Sequence, residues 1–498
     1  LTPRNDPARA AERPKVGLIA LGCPKALVDS EMMLGRLAEG ADIAGRVEDA
    51  DVVVVNTCAF VEAAKRESIE TILEVAERKR RGELRRVIVT GCLAQRYPEE
   101  LRKEIPDLDA IVGLTAEGEL PRVLSELERK KTGARLKKLP MAGESGAGKP
   151  PLPRVIVRDP SKPFEESSWG IVKRGNARAF FGPTEDPIEG AEVGRLRLTP
   201  RHYAYLRVAE GCDHACTFCA IPGFRGRFRS KPERAVIAEA RELARDGAKE
   251  LILIAEDTNQ YGQDRRDGSS LATLLPRLAA IEGVEWIRIL YAYPAYFSPE
   301  LIRAIREIEK VVKYLDMPLQ HISDSVLRRM RRPTKQQTVD LIARLRDEIP
   351  GLAIRTTFIC GFPGETERDH EELLDFVRKT RFERVGAFAY SEEDGTLAAR
   401  FEGKVPPAVR ERRREALMAA QQPIAFHKGR EKVGRRLRVL VDHVEAEGRA
   451  IARSEHDAPE IDGVVRVFAR GRRFSPGEMI DVVIVRADGY DLEAAPAQ

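Results

Sequence analysis

Gly211-Cys212-Asp213-His214-Ala215-Cys216-Thr217-Phe218-Cys219 sets three cysteines in the spacing C-x3-C-x2-C, with no fourth cysteine nearby. Three thiolates can grip three corners of a four-iron, four-sulfur cube and leave one iron without a protein ligand. An iron open in this way can bind and reduce a small molecule, which a fully ligated cube does poorly. Zinc is the competing reading. Structural zinc takes four Cys or His ligands, usually as two close pairs, and His214 lies inside the loop. Its position between Cys212 and Cys216 makes a closed tetrahedron awkward, so the cube is the better reading.

The surroundings of this loop predict a barrel. Strand-like segments recur at 203–209, 250–255, 286–291, 312–317, 354–359 and 385–390, with helical patterns between them such as 233–245 and 370–379. Six β/α units of this size predict an incomplete (β/α)6 barrel. Active sites of complete barrels collect at the carboxyl ends of the strands. The cysteine loop follows the first strand, which puts it at that mouth.

Upstream, 16–21, 51–55 and 86–90 are rich in Val and Ile and read as buried parallel strands of an open α/β domain. Asn56-Thr57 is a candidate cap for the helix that follows. Each strand runs at once into a cysteine: Cys23, Cys58 and Cys92. Ligand sites of open parallel sheets form at the strand carboxyl ends, so three residues distant in sequence are expected to converge. Three unrelated core cysteines are the competing reading. Downstream, short alternating segments at 437–441, 464–468 and 481–485 predict a small β-barrel of the oligonucleotide-binding kind. The expected domains are therefore 14–135, a linker or insertion at 136–198, the barrel at 199–423, and the small barrel at 424–493.

Composition is that of an ordinary globular chain of two to four domains: 498 residues, 43% hydrophobic, 33% charged, net charge +5. No apolar run approaches the ~20 residues of a membrane span, and residues 1–13 lack the apolar stretch of a signal peptide. Seven cysteines, an odd number, argue for metal-binding thiolates in a reducing cytoplasm rather than a disulfide scaffold. Gly143-Glu144-Ser145-Gly146-Ala147-Gly148-Lys149-Pro150 falls one residue short of a phosphate-binding loop, because Pro150 stands where a hydroxyl should reach Mg²⁺. It reads as linker.

The cysteine loop, with the aromatic Phe218 before its last Cys, resembles the signature of the radical S-adenosylmethionine superfamily. Members bind S-adenosylmethionine at the open iron and cleave it reductively to a 5′-deoxyadenosyl radical. The Cys23/Cys58/Cys92 trio and the C-terminal barrel narrow this resemblance to the methylthiotransferases, which carry a second three-Cys cluster and a TRAM domain. Leu21-Gly22-Cys23-Pro24-Lys25-Ala26-Leu27-Val28-Asp29-Ser30-Glu31, Pro318-Leu319-Gln320-His321-Ile322-Ser323 and Phe362-Pro363-Gly364-Glu365-Thr366 resemble the RimO branch. Ala26 replaces the Asn common in the first motif. The tRNA branch usually has Gln-Met-Asn after its first Cys; methylthiolation of a tRNA adenosine is the alternative activity.

The resemblance implies two [4Fe-4S] clusters, on Cys23, Cys58 and Cys92 and on Cys212, Cys216 and Cys219, facing a shared cavity. It implies methylthiolation of an aspartate β-carbon in protein twelve of the small ribosomal subunit, with S-adenosylmethionine as cosubstrate. It also implies a flavodoxin-like or ferredoxin-like electron donor, contact with ribosomal RNA or the assembling subunit, and no membrane partner. Phe218, Glu256 and Gly361 are the expected cosubstrate contacts: Glu256 follows the second barrel strand, and Gly361 lets adenine approach the backbone. No catalytic acid or base is assigned. Gln320 and His321 follow the fourth strand and are expected at the mouth. Cys360 is expected to be structural. The run Arg328–Arg332 reads as a solvated helix face or an anchor for a carboxylate or phosphate. The small barrel balances thirteen basic against thirteen acidic residues from 424 to 498. Asp442, Glu445, Glu447, Glu455, Asp457, Glu460 and Asp462 make a locally acidic stretch, expected to dock a basic protein rather than RNA.

Overall fold

A computed structural model describes residues 13–129, 170–173, 178–181, 194–445, 448–468 and 471–497. The described residues form two compact units, one from Arg13 to Phe181 with 194–196 and the other from Arg197 onward.

The first unit is an open sheet whose parallel core comprises β1 (Lys15–Ala20), β2 (Asp42–Ile43), β3 (Val52–Thr57), β4 (Arg86–Gly91) and β5 (Ala110–Val112), in the order β2-β1-β3-β4-β5. Val52–Val55 and Val87–Val89 are fully buried, as β-branched residues covered on both faces should be. Two strands come from the stretch expected as linker: β6 (Gly170–Lys173) pairs antiparallel with β7 (Arg178–Phe181), which extends the sheet beside β5. The near-P-loop at 143–150 lies outside the described residues. Asn56 and Thr57 do not cap a helix, which begins at Glu62 after Val61. Asn56 Nδ2 instead donates to Ala26 O and Ser30 Oγ, both at 2.8 Å, and Thr57 Oγ1 donates to Thr90 O at 2.5 Å. The Asn56 bonds tie the end of β3 to helix Pro24–Leu37, and the Thr57 bond ties it to β4.

In the second unit, β8 (Tyr203–Arg207) leads into the short pair β9 (Ala209–Glu210) and β10 (Arg229–Ser230). Then come β11 (Glu250–Ile254), β12 (Trp286–Ile289), β13 (Val311–Asp316), β14 (Ala353–Cys360) and β15 (Arg384–Ala389). β8 and β11–β15 lie parallel and in sequential order, an unclosed six-stranded sheet with helices between the strands. Its core runs through Leu251, Leu253, Ile287, Leu315, Ile354 and Phe358. Helix Pro407–Arg430 follows β15 and adds Leu417 and Ile424 to that core. The boundary expected between 423 and 424 falls inside this helix, at Pro423. The helix reads poorly in sequence because its surface is crowded with arginine.

A closed five-stranded barrel follows: β16 (Arg436–Val444), β17 (Ala450–Ser454), β18 (Val465–Val467), β19 (Met479–Asp488) and β20 (Asp491–Pro496). It packs on the amino ends of the strands of the six-stranded sheet through buried charge. Glu250 Oε1 and Oε2 accept from Arg288 and Arg453, each at 2.7 Å, and Arg453 also donates twice to Asp442, at 2.8 and 3.0 Å. His202 Nε2 lies 2.9 Å from Asp442, Arg384 donates to Asp457 at 2.6 Å, Tyr203 to Glu460 at 3.0 Å, and Tyr314 to Asp462 at 2.6 Å. This overturns the expected acidic docking face. Asp442, Asp457, Glu460 and Asp462 are turned onto the six-stranded sheet, where Asp457 and Asp462 give the buried Arg384 its counter-charges while His202 and Tyr203 meet Asp442 and Glu460.

Candidate metal centres and the barrel mouth

The cysteine loop leaves β9 at Gly211, whose φ of 77° suits glycine, and a Cβ there would lie 2.0 Å from Arg227 O. Cys212 N donates to Gly226 O at 3.1 Å, and Phe228 N donates to Asp213 Oδ1 at 3.2 Å, which closes the base of the loop. Its tip is held by Thr217, which donates through N to Met330 O (3.2 Å) and through Oγ1 to Arg329 O (2.8 Å), and accepts from Ala398 N (2.9 Å). Cys212, Cys216 and Cys219 form no disulfide and are half-buried. Burial raises the Cys212 thiol pKa well above its ordinary value, while the His214 N–H, 3.4 Å from its sulfur, works the other way.

His214 is committed elsewhere than to a zinc tetrahedron. Its Nε2 lies 2.6 Å from Asp257 Oδ2, and its ring stacks on Tyr293 at 3.7 Å and 11°. Arg332 sits 4.0 Å from the Tyr293 ring centre, with Nη1 3.8 Å from Cys216 Sγ. Among the described residues, no three His, Cys, Asp or Glu side chains are gathered to hold a single metal ion. The donor set on this loop is three thiols with N–H groups aimed at two of the sulfurs, a set that fits a thiolate-held cube.

Glu256 follows β11 with its carboxylate buried, 3.8 Å from Arg225, which also pairs with Glu210 at 2.7 Å. Phe218 packs against Val326, Met330, Phe362, Tyr390 and Ala398. Gly361 (φ 77°) makes room for helix Pro407–Arg430: a Cβ there would lie 2.7 Å from Arg410 Cβ and 2.9 Å from its Cα. Gln320, held at φ 72° and bonded on both sides to β14, stays half-exposed. His321 is turned inward and fully buried. Its Nδ1 accepts from Ser323 N at 3.1 Å, and burial holds its pKa down at about 3. Glu365 pins the loop after β14 by accepting from Gly361 N (2.6 Å), Phe362 N (3.0 Å) and Arg413 (3.1 Å); burial raises its pKa to about 7. Cys360 is core, its thiol pushed up to about 12 by burial. Sequence reasoning missed the His214–Tyr293–Arg332 stack. Its one signal was the tyrosine-rich run Tyr291-Ala292-Tyr293-Pro294-Ala295-Tyr296 after β12.

In the first unit the register aligns the other three cysteines. Ala20 pairs with Asn56, Asn56 with Thr90, and Thr57 with Gly91, so Cys58 leaves the middle strand between the ends that carry Cys23 and Cys92. Neighbouring strands lie about 4.8 Å apart, so the three cysteines follow adjoining strand ends along one edge of the sheet. A Cβ on Gly22 would lie 3.1 Å from Cys58 Sγ, and one on Gly91 2.6 Å from Thr57 N; both glycines have positive φ. Ser68 Oγ accepts from Cys58 N at 3.0 Å and donates to Cys58 O at 2.9 Å. Three thiols at adjoining strand ends, with Gly22 where a side chain would crowd the Cys58 sulfur, form a second donor set that fits a cube.

Comparison with known proteins agrees with this architecture. The radical SAM superfamily matches residues 206–377, the uncharacterised protein family UPF0004 matches 15–113, and the TRAM domain matches 433–496. The ribosomal protein uS12 methylthiotransferase RimO of Desulfitobacterium hafniense is 42% identical over 96% of this chain and 97% of its own length. That of Geobacter sulfurreducens is 42% identical over the same shares, and that of Opitutus terrae 43% over 97% and 96%. Radical SAM enzymes use a [4Fe-4S] cluster and S-adenosylmethionine. Three-domain order, two cysteine trios and identity along nearly the whole length lead to one assignment: this chain belongs to the RimO family of radical SAM methylthiotransferases.

Proposed function

We propose that this chain transfers a methylthio group to the β-carbon of an aspartate in ribosomal protein uS12, using S-adenosylmethionine as cosubstrate. The observation that carries the reading is the pair of cysteine trios, one on a pinned loop at the barrel mouth and one at three aligned strand ends, in a chain 42% identical to enzymes named for uS12. The target C–H bond is unactivated, so no positioned acid or base suffices; bound clusters and cosubstrate supply the electron and sulfur chemistry.

The chain's own residues hold and shield. Cys212, Cys216 and Cys219 grip the radical cluster, and Cys23, Cys58 and Cys92 an auxiliary one. Glu256, 3.8 Å from Arg225, is the anchor we assign to the cosubstrate's amino group. Phe218 keeps water from the loop's inner side, and Gly361, with its amide turned to Glu365, sets the backbone against which adenine lies. The six-stranded unit takes its electron from a flavodoxin-like or ferredoxin-like donor in the cytoplasm, with uS12 free or on the assembling subunit. No helix of the described residues is long and apolar enough to cross a membrane.

Mass spectrometry of uS12 peptides from cells with and without the gene tests this. The reading predicts that the aspartate peptide loses the mass of a methylthio group when the gene is absent and regains it on complementation. An unchanged peptide removes the assignment.

A further inference from the structure

Helix Asp324–Met330 ends in an unusual turn. Arg331 adopts φ 57°, a left-handed conformation that costs a side-chain-bearing residue energy, while Arg331 N donates to Arg328 O (3.2 Å) and Arg332 N to Leu327 O (2.9 Å). This closure throws Arg332 off the helix face, away from the solvated row to which its sequence run assigns it. Its guanidinium comes to rest on three things at once. Nη1 lies 3.8 Å from Cys216 Sγ, Nη2 donates to Pro318 O, and the plane lies 4.0 Å from the centre of the Tyr293 ring. His214, from within the cysteine loop, stacks on the same ring at 3.7 Å. Two groups this close cannot share one face, so Tyr293 is clamped between them. Asp257 fixes the far end of the stack by its 2.6 Å contact with His214.

We propose that Arg332 is a positioning residue for the incoming electron: it holds a cation and an N–H donor against the Cys216 sulfur, and so raises the reduction potential of the cluster on Cys212, Cys216 and Cys219. The inference rests on the cluster reading given above. Reduction adds one electron, supplied by a one-electron donor, and one negative charge to a group already bound by three thiolates. A fixed cation stabilises that more negative form over the oxidised one, and hydrogen bonds to the sulfurs are a recognised lever on such potentials. The tyrosine clamp keeps the guanidinium in register without spending its N–H groups.

The experiment is a dithionite titration followed by electron paramagnetic resonance, without S-adenosylmethionine. It uses the full chain reconstituted with iron and sulfide, with Cys23, Cys58 and Cys92 each replaced by Ala so that one cluster is read. If that background does not fold, the all-cysteine chain is titrated and the signal altered by S-adenosylmethionine is followed. Arg332→Gln is expected to lower the electron affinity about tenfold, about 59 mV for a one-electron couple, at unchanged iron content. Arg332→Lys, which keeps the charge, should retain most of the wild-type potential. An unshifted potential in Arg332→Gln overturns the proposal. So does weakened binding of S-adenosylmethionine with an unshifted potential, which would assign the guanidinium to the cosubstrate's carboxylate. Loss of iron from both variants overturns it as well, since a residue that only tunes leaves the sulfurs able to hold iron. A parent chain that takes up no iron in either background removes the cluster reading and the inference together.

Discussion

Arg453→Met isolates the charge that joins the TRAM barrel to the floor of the six-stranded sheet. Arg453 is buried, with its side chain 2% exposed, and it serves Glu250 at 2.7 Å and Asp442 at 2.8 and 3.0 Å. Breaking a buried ion pair by removing one partner costs about 3–5 kcal/mol, because the other charge stays buried. Here each carboxylate keeps a second partner: Arg288 remains on Glu250 at 2.7 Å, and His202 on Asp442 at 2.9 Å. That argues for the lower part of the range. The lost contact with the Tyr203 ring, 5.3 Å away, adds about 0.5–2 kcal/mol. The expected loss is about 3.5–5 kcal/mol. Trp286 pairs with Glu250 across β11 and β12, so it reports on this floor directly. The assay is urea unfolding followed by Trp286 fluorescence in a Trp169→Phe background, since the chain has two tryptophans. A loss below about 1 kcal/mol, the scale of an exposed pair, would refute the view that buried charge joins the two parts.

Three other outcomes follow from the geometry. Burial lowers the His321 pKa from 6.5 to about 3, so the unfolded chain takes the proton first as the pH falls; the stability from keeping it neutral is present above about 6.5 and lost toward 3. His321→Gln should flatten unfolding free energy against pH by up to ~1.4 kcal/mol per pH unit in that window. Identical slopes would contradict this, and the comparison with the variant removes the opposite contribution of Glu365, raised to about 7. Gly91→Ala would put a Cβ 2.6 Å from Thr57 N at a φ of 92°. It should displace Cys92 and roughly halve the iron bound per chain, and full iron content would count against the aligned trio. Gly361→Ala should cost ~1–3 kcal/mol from backbone strain alone, before its clash with Arg410; a thermal midpoint equal to wild type would show that the glycine is not required there.

Much of this was legible in the sequence, for identifiable reasons. The Val- and Ile-rich runs of β3 and β4 are buried on both faces, so composition alone marks them, and the register then aligns Cys23, Cys58 and Cys92 as their strand-end placement predicts. The six parallel strands stood out because each is short, apolar and bounded by turn residues. Asn56 misled because a residue suited to a helix cap is equally suited to bridging a strand end to its neighbours. His321 misled because a polar residue after a barrel strand points to the mouth or into the core depending on one backbone angle, that of Gln320 at φ 72°. The acidic run at 442–462 looked like a free surface because His202, Tyr203, Tyr314 and Arg384, which its carboxylates meet, lie far off in the sequence and reach it only once the chain has folded. The stack of His214, Tyr293 and Arg332 joins three separate segments, so no local pattern announces it.

Iron counting distinguishes one bound cluster from two. Anaerobic reconstitution of the full chain, followed by iron and sulfide determination and a parallel count after Cys23, Cys58 and Cys92 are all replaced by Ala, separates one cluster from two. The account predicts about eight irons per chain, falling to about four in the triple variant. About four irons in both proteins, or zinc in place of iron, would contradict it.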